Sequence, residues 1–229
     1  GRYAQWADLD VLNKPFVPTP ADKAILEAEW NPVAEEAHTT VVARLKEEKQ
    51  KESGANKVLK ADEELAARFQ SLRRHSGGYR VLSLNNPFNS TQVSYFHRSL
   101  GGYHGAKLKR YQELIEFQIG GAMQRIGGLL QSGTSLPQID SLLAKESVLN
   151  MLNTRYIMYN PERPPIRNTN ALGAAWFVDE VQWEKDADAE IMALGAFDAA
   201  RTALVDERYR AVIGDAPLTP DPSASAELA

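Results

Sequence analysis

The chain has 229 residues, 43% of them hydrophobic and 24% charged, with a net charge of -4 and no cysteine. That length suffices for one large domain or two small ones with a real core, and the composition excludes global disorder. The acidic balance leaves no surplus of Lys and Arg to neutralise phosphates, so no nucleic-acid partner is expected, and the lack of cysteine excludes disulfides and thiolate chemistry.

No apolar run approaches the roughly 18–20 residues a membrane helix needs. Gly1 opens a polar stretch with no charged region followed by an apolar core, so no signal peptide is expected there. Residues 1–20 hold Pro15, Pro18 and Pro20 and little periodicity, and read as an extended lead-in. It ends at a helix start with Thr19 as N-cap and Pro20 at the first helical position. A helix over 21–30 is interrupted at Asn31-Pro32, because the residue before a proline is biased away from helical geometry.

Helix resumes over 33–51 with Val41, Val42 and Leu45 as a thin apolar stripe, and returns over 61–74 with Leu65, Phe69 and Leu72 on one face. The turn signal at 51–56 joins the two runs into a helical hairpin near 31–76, read as an insertion whose excision the fold should tolerate. A short strand over 79–84 follows Gly77-Gly78 and stops at Asn85-Asn86-Pro87.

The most convincing amphipathic helix spans 107–119, where Leu108, Tyr111, Ile115 and Ile119 share a face; Gly120-Gly121 should weaken or bend it. Further elements are a helix over 139–153 entered through Asp140 or Ser141, strands over 156–159 and 176–183, a helix over 188–196 and a last strand over 203–205. Residues 161–170 read as a polar loop. The stretch 214–229, with Pro217, Pro220 and Pro222 among Ser and Ala, reads as a flexible linker. The class is α+β (mixed α/β): a short mixed sheet packed with helices plus the helical hairpin, as a single domain over 21–213.

Known catalytic signatures fail on spacing. The glycine turn before Lys107 has neither P-loop nor dinucleotide-fingerprint spacing, no serine elbow is present, and His97 and His104 match no zinc signature, so neither metal nor cofactor is expected. What survives is a cluster around a glycine turn: Tyr95, His97, Arg98, Tyr103, His104, Lys107 and Arg110. Tyrosine faces stack on sugar rings, while Arg and Lys make charge-assisted hydrogen bonds to phosphate or carboxylate, so the set suits an anionic glycan or a lipid-phosphate headgroup. It equally suits an ordinary turn whose tyrosines pack and whose cations sit in water.

The stretch 94–115, with Gly101-Gly102-Tyr103-His104 at its centre, together with Asn153-Thr154-Arg155-Tyr156 and Trp176-Phe177-Val178-Asp179, resembles the YfhO-like bacterial membrane proteins of the Bacteroidetes type. The resemblance covers Thr19 to Ala24 and then residues 79–210. It implies an extracytoplasmic, periplasmic-side segment of a multi-spanning cell-envelope protein with glycosyltransferase-like (GT-C) membrane architecture, attached to the membrane through spans that flank it. It also implies that the catalytic acid sits near the first membrane helices, so no residue here is assigned as catalytic even if the parent protein is a glycosyltransferase. Two functional expectations follow: a non-catalytic domain supporting recognition of a glycan or lipid-linked sugar, or a structural domain of an uncharacterised envelope protein that binds no ligand.

Overall fold

The computed structural model describes residues 16–53, 58–75, 77–103 and 107–214. His104, the linker beyond Gly214 and most of the lead-in therefore lie outside the described residues. Helix α1 (Pro20–Glu29) starts where the sequence marks it. Asp22 accepts from the Thr19 amide and hydroxyl, both at 2.8 Å, while Thr19 Oγ1 accepts from the Asp22 amide at 3.2 Å. This reciprocal box satisfies two of the orphan donors of the first turn.

Helices α2 (Pro32–Ser53) and α3 (Ala61–His75) form the expected antiparallel hairpin, with Asn31 Oδ1 capping the Ala34 amide. Its second arm is no surface addition. Phe69 and Leu72 are buried in the same cluster as Ile25 and Leu26 of α1, and the Phe69 ring lies 4.8 Å from that of Phe96. The apolar face seen at 65, 69 and 72 is thus spent on the main core, which gives a physical reason for excision to be costly rather than tolerated.

Strand β1 (Arg80–Ser83) runs parallel to β2 (Thr154–Met158), which pairs antiparallel with the short β3 (Ile166–Arg167) inside the stretch read as loop. Because successive side chains alternate faces, Val81, Tyr156 and Met158 enter the cluster under α1 and α3, while Leu82 and Ile157 enter a second cluster on the other side. The sheet is sandwiched between two helical layers, so β1 and β2 are apolar on both faces, as buried parallel strands are.

The short α4 (Gln92–Phe96) follows β1 in the chain and packs on the α3 side, with Phe96 in the first cluster. The second layer is one long run: α5 (Lys109–Leu114), a π-helical turn at Ile115–Ile119, and α6 (Gly120–Gln131). The weakening expected at Gly120-Gly121 takes the form of that wide turn just before the glycines. Helix α7 (Leu136–Leu143) starts earlier than Asp140, because Ser135 and Gln138 make a capping box. A break at 144–146 separates it from α8 (Ser147–Met151), so the single helix read over 139–153 is two. Glu146 in the break accepts from Arg125 Nε and Nη2, each at 2.7 Å.

A small second unit completes the α+β fold: β4 (Glu180–Glu184), α9 (Ala187–Ala193) and β5 (Thr202–Asp206), the two strands parallel. The strand begins at Glu180 rather than at Trp176, whose indole instead donates to the Ala199 carbonyl at 2.8 Å. A final short helix, α10 (Arg210–Ile213), follows. No helix among the described residues is long and apolar enough to cross a membrane.

Candidate functional site

The stretch 94–103 runs along the free edge of β1. Val81 donates to the Arg98 carbonyl at 2.8 Å and accepts from the Leu100 amide at 3.0 Å. Gly101 then passes so close to Pro87 that an added Cβ would stand 2.0 Å from its carbonyl oxygen, and the Gly102 amide donates to that oxygen at 2.7 Å. The turn requires glycine for this approach.

This geometry scatters the residues singled out in the sequence. His97 goes inward and is fully buried: Nδ1 lies 3.0 Å from the Tyr79 hydroxyl and Nε2 lies 3.3 Å from Asp22 Oδ1. The Tyr79 hydroxyl and Nδ1 share a hydrogen bond whose direction follows the imidazole tautomer, while Nε2 and Asp22 Oδ1 face each other without making one. Phe69 closes the ring in from the side, 5.5 Å away. Tyr79 continues the network: its ring meets Tyr156 edge-on, Tyr156 donates to Glu29 at 2.7 Å, and Arg155 binds the same carboxylate at 2.8 Å and 2.9 Å.

Burial, reinforced by the Glu29 charge, pushes the Tyr79 phenol far above its ordinary range; burial and the bond to Glu29 do the same for Tyr156. Asp22, Tyr79, Glu29 and Tyr156 were not among the expected site residues. The aromatic and acidic side chains closing on His97 come from elements 18 to 75 residues away, and no local pattern announces such convergence.

Tyr95 lies on the α3 side of the molecule, its ring 5.3 Å from Phe16 and 5.1 Å from Phe96. Arg98 is exposed beside Gly78, Tyr103 is 65% exposed, and Arg110 is exposed on α5. Lys107 folds back, donating to the Phe88 carbonyl at 3.3 Å with its ammonium 5.4 Å from the Phe88 ring centre.

Lys107 also lines an open groove of about 520 Å³ with Arg80, Ser99, Leu100, Gly101, Leu108, Tyr111 and Leu152. Tyr111 anchors its floor by donating to the Leu100 carbonyl, and burial raises its phenol against the opposing pull of the Arg80 charge. Arg80 uses Nη1 on the Leu152 carbonyl at 3.3 Å. Among the described residues no carboxylate stands within ion-pair distance of Arg80 or Lys107. The groove thus combines two cations that retain donors with an aromatic and aliphatic floor, a chemistry that takes an anion carrying an apolar or ring-shaped body. Arg80 was missed because in sequence it reads only as the polar start of a strand.

No group of three or more His, Asp or Glu side chains able to hold a metal occurs among the described residues. Protein-family models, curated proteins and solved structures were each compared with the chain, and none matches.

Proposed function

We propose that this chain is a non-catalytic extracytoplasmic segment of a YfhO-like membrane protein, and that it supports recognition of an anionic glycan or a lipid-linked sugar phosphate at the membrane face. The membrane setting rests on the sequence resemblance. Recognition rests on one observation, the groove in which Arg80 and Lys107 flank Tyr111 and Leu108 without carboxylate partners. Phosphate or carboxylate oxygens bind the cations, and the rest of the ligand lies on the apolar floor.

Titration with a uronic-acid oligosaccharide and with farnesyl phosphate, followed by tyrosine and tryptophan fluorescence, tests this. The expected response is saturable, submillimolar at best, and weakened by salt because the contacts are exposed. Absence of any saturable response to either ligand would refute recognition. It would favour the second reading, a purely structural domain, which the complete burial of His97 against Asp22 and Tyr79 supports: the imidazole there holds α1 to the edge of β1.

A further inference from the structure

A different cavity opens at the carboxyl ends of the parallel strands β1 and β2, the place where open α/β sheets bind ligands. It is a cleft of about 80 Å³, lined by Asp22, Ser83, Asn85, Ser90, Gln92 and Ser99 among its polar residues, with Pro87, Val93, Met158, Tyr159 and Pro161 as walls. Such a volume exceeds that of a single water site and falls far short of the several hundred Å³ of a drug-sized pocket.

Asp22 is the one charged residue in this lining. Its Oδ2 is committed to Thr19, whereas the buried Oδ1 has no hydrogen-bond partner and faces His97 Nε2, also unpartnered, at 3.3 Å. A buried carboxylate oxygen in that condition calls for a donor. Around it, hydrogen-bonding capacity of both kinds remains. Ser90 and Ser99 Oγ accept from backbone amides and keep their hydroxyl protons, and the side-chain amides of Asn85 and Gln92 make no bond within the described residues.

We propose that this cleft seats the hydroxyl edge of a neutral polyol or sugar, one hydroxyl donating to Asp22 and the next both donating to and accepting from the Asn85 and Gln92 amides. A hydroxyl pair matches a lining that offers donors and acceptors together. An ammonium group, which only donates, would leave the amide and hydroxyl donors without acceptors. The site is separate in chemistry from the cationic groove and stands or falls independently of it, although Ser99 lines both.

The test is an NMR titration of the full chain with methyl α-glucopyranoside, with methylammonium chloride as the competing probe. Saturable shifts of the Ser83, Gln92 and Tyr159 amides at millimolar glycoside, weakened at least threefold in both Gln92→Ala and Asn85→Ala, are expected. These side chains are partly or fully exposed, so the variants should fold. Asp22→Asn, which keeps the shape of the cap and removes the charge, should weaken the glycoside as well. Three results would overturn the proposal: no saturable shift at those amides, tighter binding of methylammonium, or unchanged affinity in both alanine variants. Shifts confined to Gly101 and Leu108 would place the sugar in the groove and overturn the cleft site while sparing the groove reading.

Discussion

Replacing His97 with Ala should cost about 4 kcal/mol of stability. The side chain is wholly enclosed among Phe69, Tyr79 and Asp22, so truncation leaves a cavity that the surrounding rings cannot collapse into freely. Large-to-small core changes of this kind cost about 2–5 kcal/mol. The Tyr79 hydroxyl then loses its partner in a buried position, which adds about 1–3 kcal/mol, partly offset wherever water enters. Urea denaturation followed by far-UV circular dichroism reads the change as a lower midpoint at constant slope. For a chain of this size about 4 kcal/mol corresponds to roughly 8–16 °C in Tm. A loss below about 1 kcal/mol would refute the argument, because it would mean that the imidazole is not part of the packed centre.

The opposite result is expected for Tyr103→Ala, since a ring 65% exposed should cost less than about 1 kcal/mol in the same assay. Gly101→Ala should destabilise by about 1–3 kcal/mol, the cost of overpacking, because its Cβ cannot coexist with the Pro87 carbonyl; melting like the unsubstituted chain would contradict the turn geometry. Joining Trp30 to Gly77 should abolish the cooperative transition, because it removes Phe69 and Leu72, and retention of that transition would make the hairpin a true appendage. Tyr79 and Tyr156 have folded-state phenols raised above the unfolded value, so their stabilisation is full below about pH 10 and is lost at more alkaline pH as the unfolded chain ionises first. Phenolate absorbance should therefore show these two tyrosines ionising together with unfolding rather than before it.

Helix positions were legible where local chemistry dictates them. Thr19-Pro20 and Asn31-Pro32 set the ends of α1 and the start of α2 through capping and proline sterics, effects confined to a few residues. Ser135-Leu136-Pro137-Gln138 carries an equally local start signal, and its capping box prevails over a start at Asp140 or Ser141. Trp176 misled for another reason: alternation suits a strand, but the indole is drawn to the Ala199 carbonyl by a contact across 23 residues.

The fates of the side chains around the glycine turn were not legible in the sequence. Whether His97 faces solvent or Asp22 depends on α1, 75 residues earlier, and the partnership of Lys107 with Arg80 depends on the parallel edge formed by Val81 and Ser99. Of the three tyrosines in this stretch, Tyr111 bonds the Leu100 carbonyl, Tyr95 packs on another side, and Tyr103 remains exposed.

Recognition of an anion in the groove is tested most directly by locating a bound sugar phosphate. A crystal of the chain soaked in glucose 1-phosphate, with Arg80→Gln and Lys107→Gln crystals treated alike, should show the phosphate between Arg80 and Lys107 and the sugar over Tyr111 and Leu108. Occupancy should fall in each variant. A groove empty at saturating ligand, or occupancy unchanged by both substitutions, would contradict the account.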